Sequence, residues 1–173
     1  MNKKILPTSY NFSSLSVLVV EDNLHMRWLV RDMLRAFGID RVYEAGDGSA
    51  ALQVMAEKNG KLDIVITDWA MTPMDGYQLT KEIRHYALYQ QIPIIMMTPY
   101  TERRRVRAAR DAGVSELLAK PFSANTMLGR LISVIEEPRP FIKSANYIGP
   151  CRRRRTEPHF GPERRKNNQD IEK

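Results

Sequence analysis

Five side chains able to do ionic or phosphoryl chemistry stand directly after short apolar runs. Glu21 and Asp22 follow residues 15–20, Asp68 follows 64–67, Thr98 follows 93–97 and Lys120 follows 116–119. If those runs are neighbouring strands, their ends bring three carboxylates to one edge, where they repel each other unless a cation binds among them. Hard oxygen ligands of this kind suit Mg²⁺, which keeps several waters and usually takes only one or two protein carboxylates. A lysine and a hydroxyl beside them could hold the equatorial oxygens of a phosphoryl group. Such a set fits phosphoryl transfer onto a carboxylate, with positioning and charge neutralisation supplying the catalysis.

The runs do alternate with amphipathic stretches. Residues 15–20 are short and β-branched, as a strand buried on both faces should be. Residues 25–37 place Leu29, Met33 and Leu34 at helical spacing and stop at Gly38. The alternation repeats with strands over 41–45, 64–67, 93–97 and 116–119, and helices over 49–58, 76–86, 102–112 and 123–137. Five βα units predict an α/β domain: a doubly wound parallel sheet with helices on both faces. Ligands then bind outside the carboxyl ends of the strands, where the five residues above stand.

Four motifs now carry a resemblance. Val17-Leu18-Val19-Val20-Glu21-Asp22-Asn23, Thr67-Asp68 running to Asp75-Gly76, Met97-Thr98 and Lys120-Pro121-Phe122 stand in order at successive strand ends. Together they resemble the receiver domain of bacterial response regulators, the CheY-like single-domain members in particular, from about Leu15 to Glu137. The resemblance implies the flavodoxin-like (βα)5 strand order 2-1-3-4-5. It implies that Asp68 accepts phosphate from a sensor histidine kinase or a phosphotransfer protein. Asp22 and Asp68 would ligate Mg²⁺, with Glu21 acting through water and the Ala70 backbone carbonyl completing the protein's share. Lys120 would pair with the phosphoryl group and Thr98 would turn to hydrogen-bond it.

Three positions depart from that pattern. Leu117 stands three residues before the lysine, where an inward-turning aromatic is usual; Tyr100 reads as an ordinary half-exposed loop residue. Pro99 follows Thr98 and has no N–H to donate to a phosphoryl oxygen. Trp69 and Ala70 follow the acceptor, and the loop runs Met71-Thr72-Pro73 with its proline one place late.

The charge divides the chain. Residues 1–137 hold 17 Lys and Arg against 16 Asp and Glu, whereas 138–173 hold 10 against 4, with five of the ten prolines. The chain therefore divides into an N-terminal arm over 1–14, a receiver-like body over 15–137 and a flexible Arg- and Pro-rich tail over 138–173, which lacks the apolar content to fold alone. The tail repeats itself at period twelve: Tyr147-Ile148-Gly149-Pro150-Cys151-Arg152-Arg153 is echoed by His159-Phe160-Gly161-Pro162-Glu163-Arg164-Arg165. Arginines bind phosphates through a planar fork and stack on flat rings. Arg152, Arg153, Arg164 and Arg165 are thus candidates for a nucleotide site. The tail resembles that of single-domain receivers that bind cyclic di-GMP; its composition also suits polyanion or protein docking, the reading favoured here, or a solubilising role.

Several classes drop out. A single cysteine, Cys151, excludes a disulfide framework and a cysteine zinc site. No apolar run is long enough to insert in a membrane and no secretory signal is present, so a cytoplasmic protein is expected. No helix-turn-helix follows the body, so sequence-specific DNA recognition is not expected. His25, His85 and His159 lie apart in sequence and offer no second catalytic group, so the protein is not expected to be classed as an enzyme. The expectation is a response regulator that signals by protein contact. The alternative is a cyclic di-GMP adaptor whose tail senses the nucleotide and whose body docks a partner such as the flagellar motor. The helix over 102–112 carries Arg103, Arg104, Arg105, Arg107 and Arg110, either a solvated face or a surface for an acidic partner.

Overall fold

The computed structural model describes residues 10–100, 102–144 and 147–151. Five strands, β1 (Ser16–Val20), β2 (Arg41–Ala45), β3 (Ile64–Asp68), β4 (Ile94–Thr98) and β5 (Glu116–Ala119), form one parallel sheet in the order β2-β1-β3-β4-β5. Between them run α1 (Leu24–Ala36), α2 (Gly48–Lys58), α3 (Gly76–His85) and α4 (Arg103–Ala112), with α5 (Ala124–Glu136) following β5. The period of two within each strand splits the apolar side chains between the sheet's faces. Val17, Val19, Ile64, Ile66, Ile95 and Met97 pack with Val30 and Leu34 of α1 and with Met127 and Leu131 of α5. Leu18, Val20, Val65 and Ile94 pack with Met55 of α2 and Leu79 and Ile83 of α3. Every residue of β1, β3 and β4 is buried, which is why these strands read as unbroken apolar runs.

Helix starts are set close behind the strand ends. Asn23 accepts from Met26 N–H, Asp47 from Ser49 and Ala50 N–H, and Ser123 from Thr126 N–H. Asp75 and Gln78 close a capping box on α3. Helix α4 is the exception: Glu102 precedes it with no side-chain cap, and arginines fill its first turn.

The described parts of both flanking segments pack on the body. The arm over 1–14 is packed at its described end, with Phe12 buried in the α1–α5 core and stacked on Tyr10 at 5.4 Å. Within the tail over 138–173, two described stretches are ordered as strands. β6 (Phe141–Ser144) and β7 (Tyr147–Pro150) form an antiparallel hairpin against α3 and α4. Residues 141–150 lack the apolar content to fold alone, and the body supplies the missing surface. The Tyr147 hydroxyl donates to Pro150 O at 2.6 Å and to Arg110 O at 3.4 Å, while Cys151 N–H donates to Pro140 O at 2.7 Å.

Under the hairpin lies Arg84, 1% exposed, with no carboxylate bonded to it among the described residues. Its guanidinium donates to Gly113 O at 3.0 and 2.8 Å, to Gln90 O at 3.0 Å and to Ile92 O at 2.8 Å, and the Phe141 ring lies 5.7 Å away. Burial pushes its pKa down to about 10, so it is still charged at neutral pH. Three carbonyls therefore solvate a buried cation in place of water. Gly113 sits at φ +101°, and a Cβ there would come within 2.8 Å of Ile148 O and 2.9 Å of Arg84 Nε. Only glycine fits beneath the hairpin at that point.

Arg84→Lys keeps the charge but loses the planar fork that serves several carbonyls at once. It should cost roughly 1–3 kcal/mol in urea unfolding, the range for orphaned buried acceptors. In a chain ending at Glu137 the same substitution should cost distinctly less, because water then reaches the site.

Candidate functional site

The five residues singled out by position meet at one end of the sheet. Glu21 (2% exposed) and Asp68 (5%) are buried, Thr98 is buried beside them, and Asp22 is exposed at the mouth. One carboxylate oxygen from each of Glu21, Asp22 and Asp68 lies within 4.8 Å of the others. Lys120 Nζ donates to Glu21 Oε2 at 2.8 Å and lies 2.8 Å from Asp68 Oδ1. The second contact is an ion pair without hydrogen-bond alignment, so Asp68 Oδ1 is buried with lone pairs to spare. A buried, under-satisfied carboxylate oxygen facing two further carboxylates fits a divalent cation with oxygen preference.

The electrostatics follow from crowding. Burial raises the Glu21 pKa, the neighbouring Asp68 charge adds to this, and Lys120 partly offsets both. For Lys120, burial alone would lower the pKa, but its close contact with the Asp68 carboxylate, its hydrogen bond to Glu21 and the charges of both outweigh it and leave the ammonium above its usual value. One cation thus serves two buried anions.

Local structure holds these groups tightly. Trp69 N–H donates to Met97 O at 2.9 Å and Gly76 N–H to Trp69 O at 2.9 Å, folding the loop after Asp68 back on the sheet. A Cβ on Gly76 would lie 2.0 Å from Asp68 O, so the start of α3 approaches the Asp68 backbone as only glycine allows. The Thr72-Pro73 and Lys120-Pro121 peptide bonds are cis. Ala70 is exposed at the rim, two residues past Asp68.

Thr98 is committed elsewhere. Its Oγ1 accepts from Tyr100 N–H at 3.0 Å, bridging Pro99, which has no N–H of its own. Tyr100 is more than a loop tyrosine. The Arg105 guanidinium carbon sits 3.6 Å from its ring centroid, and Trp69 meets it edge-on at 6.0 Å. Trp69 also stacks on Tyr77 at 6.1 Å and packs, with Leu117, on Met96, Ala109 and Val114. An aromatic group with an arginine lid therefore joins Thr98 to the start of α4, on the side of the sheet where Leu117 offers no ring. Arg27 escaped the sequence reading: it donates to Glu21 O at 2.6 Å and pairs with Glu44 at 3.3 Å. An arginine one turn into a helix has no motif to announce it, since its partner is a main-chain oxygen.

Arg152, Arg153, Arg164 and Arg165 lie outside the described residues. Tyr147, the ring of the first tail repeat, is spent on the body through its hydroxyl.

Fold and site together define a receiver: a (βα)5 sheet in 2-1-3-4-5 order with an acidic pocket and a lysine at its carboxyl end. The chain belongs to the response regulator receiver domain family, whose model matches residues 17–132. It is 36% identical over 123 residues to the chemotaxis protein CheY-3 of Vibrio cholerae, covering 71% of this chain and 93% of that protein. Among solved structures it is similar to CheY4 of Vibrio cholerae, with TM-score 0.66 and 30% identity over 70% of this chain and 98% of that one. It is also similar to the receiver domain of the sensor histidine kinase PA1611 from Pseudomonas aeruginosa, which carries magnesium in its active-site cleft. There the TM-score is 0.61 and the identity 30%, over 69% of this chain and 95% of that one. The family model's span, residues 17–132, leaves the arm and the hairpin outside it. Among the described residues no helix is long and apolar enough to cross a membrane.

Lys120→Met strands two buried carboxylates and, without divalent cations, should cost on the order of 3 kcal/mol at neutral pH. Because the folded state raises the Lys120 pKa, its stabilisation is complete below its ordinary value of 10.5 and fades as pH rises through the higher folded value. The gap between the two proteins in urea unfolding should narrow at alkaline pH and hold steady from neutrality to about pH 10.

Proposed function

We propose that this protein is a two-component response regulator that takes a phosphoryl group on Asp68 and passes its state on by protein contact. The observation that carries the reading is Lys120 Nζ at 2.8 Å from both Glu21 and Asp68, inside a cluster whose third carboxylate is exposed. Asp68 supplies the nucleophile. As a carboxylate oxygen of Asp68 bonds to phosphorus, the P–N bond of a phosphohistidine on a sensor kinase or phosphotransfer protein breaks. Lys120 is placed to give up one buried anion and meet an oxygen of the incoming group instead. Thr98 offers its hydroxyl proton to another, and Pro99 leaves that group one backbone donor short.

Asp22, Asp68 and the Ala70 carbonyl would hold Mg²⁺, with Glu21 reaching it through water. The ion would supply neutralisation of the charge on the phosphoryl oxygens. The exposure of Asp22 at the mouth is what an ion that retains several waters requires. The protein works as a signalling component of the cytoplasm, not as an enzyme with a separate substrate. A tail that senses cyclic di-GMP gains no support, since Tyr147 is engaged with Pro150 and Arg110.

Acetyl phosphate with Mg²⁺ should label the wild-type chain and leave Asp68→Asn unlabelled; equal labelling of the two would remove Asp68 from its role. Beryllofluoride with Mg²⁺ should shift the amide resonances of Thr98, Tyr100 and α4 well beyond those of Leu117. Comparable shifts at Leu117 would mean that β5 carries the signal after all.

A further inference from the structure

The three carboxylates of the acidic cluster are held to different degrees. Glu21 and Asp68 each lie 2.8 Å from Lys120 Nζ, and Glu21 Oε1 also accepts from Asn23 N–H at 3.3 Å. The exposed Asp22 carboxylate accepts no hydrogen bond and enters no ion pair among the described residues. Its place is therefore set by the main chain that carries it. That chain is gripped at one atom, Glu21 O, the carbonyl of the peptide that joins Glu21 to Asp22. Arg27 Nη1 donates to it at 2.6 Å, a short length in keeping with a charge-assisted bond. The Arg27 side chain is only 17% exposed, so little water competes for that carbonyl.

The grip is tied to β2 from two sides. Arg27 Nε donates to Glu44 Oε2 at 3.3 Å, and Glu21 N–H donates to Ala45 O at 3.1 Å. Glu44 divides its carboxylate between Arg27 and Arg31, whose Nη1 donates to Glu44 Oε1 at 3.3 Å. A guanidinium is planar, so Nε on Glu44 fixes the direction from which Nη1 meets the carbonyl. Helix α1 does not need this bond to begin, because Asn23 caps it through Met26 N–H. As a bare charge Arg27 would even count against a metal. A cation bonded to the peptide between two metal-facing carboxylates repels a second cation there. What Arg27 gives the site is geometry.

We propose that Arg27 is a positioning residue of the acidic cluster, and that by fixing the Glu21–Asp22 peptide it sets the cluster's preference for Mg²⁺ over Ca²⁺. Mg²⁺ demands near-ideal octahedral geometry at about 2.1 Å, whereas Ca²⁺ accepts about 6–8 oxygens at about 2.3–2.6 Å in flexible arrangements. A carboxylate whose main chain is free to turn keeps its worth to Ca²⁺ and loses it to Mg²⁺. Arg27 acts through Glu21 O, one bond removed from the ligands themselves. The proposal rests on the reading of Glu21, Asp22 and Asp68 as a divalent-cation site, and not on phosphoryl transfer to Asp68.

The test titrates Mg²⁺ and, separately, Ca²⁺ into the full chain while the amide resonances of Asp22, Asp68 and Trp69 are followed. Urea unfolding first fixes a temperature at which every variant is fully folded, so lost stability cannot mimic a change in the ratio of the two affinities. Arg27→Lys keeps the charge but cannot hold Glu44 and Glu21 O in one plane. It should weaken Mg²⁺ at least about tenfold, the lower end for losing an outer partner of a metal ligand, and Ca²⁺ distinctly less. Arg27→Met should weaken Mg²⁺ by as much or more, although a cation has been removed. Arg31→Gln, which releases Glu44 but not Glu21 O, should bind both ions nearly as wild type does. Unchanged or tighter Mg²⁺ binding in Arg27→Met would make Arg27 a charge and nothing more, and equal losses for the two ions would make it a prop for the fold; either overturns the proposal. Asp22→Asn separates this inference from the one it rests on. If that variant loses Mg²⁺ while the Arg27 variants bind like wild type, the cation site stands and the role of Arg27 falls. A wild type that takes up no Mg²⁺ overturns both.

Discussion

Two buried carboxylates, Glu21 and Asp68, share one ammonium, that of Lys120. Much else at this end of the molecule follows from the need to hold that arrangement against its own repulsion. The carboxylates come from β1 and β3, neighbours in the sheet, while the lysine arrives from the edge strand β5 across β4. The sheet must therefore be rigid and buried on both faces, which β1, β3 and β4 achieve with buried and largely apolar residues throughout. A cluster with more anions than cations is also unfinished. Its exposed Asp22 and the unaligned oxygen of Asp68 leave room for a further cation and for an incoming anion that competes for Lys120.

The far end of the molecule solves a related problem differently. Arg84 is a buried cation solvated by main-chain carbonyls, with the hairpin closed over it. Those carbonyls belong to the turns at Gln90, Ile92 and Gly113, so one side chain ties the end of α3 to the end of α4. The hairpin adds Tyr147 to the same place. Helix α4, uncapped and overcharged at its start, is thereby fixed at its C-terminal end and, among the described residues, tied at its N-terminal end through Arg105 and Tyr100. The absence of an aromatic side chain at Leu117 is consistent with a coupling that runs through the loop after β4 instead.

How much of this was legible in sequence divides along physical lines. Strand identity, helix limits and the placement of Glu21, Asp22, Asp68, Thr98 and Lys120 at strand ends came from periodicity, caps and motif order. Each is a local property, because a doubly buried strand must be apolar and a helix must begin on a polar cap. Flavodoxin-like strand order followed from the family resemblance and is the order observed.

What local pattern could not decide was anything that depends on two distant segments meeting. The fate of Tyr100 depended on Arg105 folding back over it, and that of Arg84 on carbonyls some six to thirty residues away. Residues 141–150 looked unable to fold because their own apolar surface is small. They pair because Arg84 and Gly113 offer them a surface to cover. Sequence by itself determined which residues could do chemistry and which edge of the sheet would hold them. Tertiary structure alone decided which cation meets which anion and which part of the basic tail is bound to the body, since charge pairing and burial are settled by proximity in space and not by order along the chain.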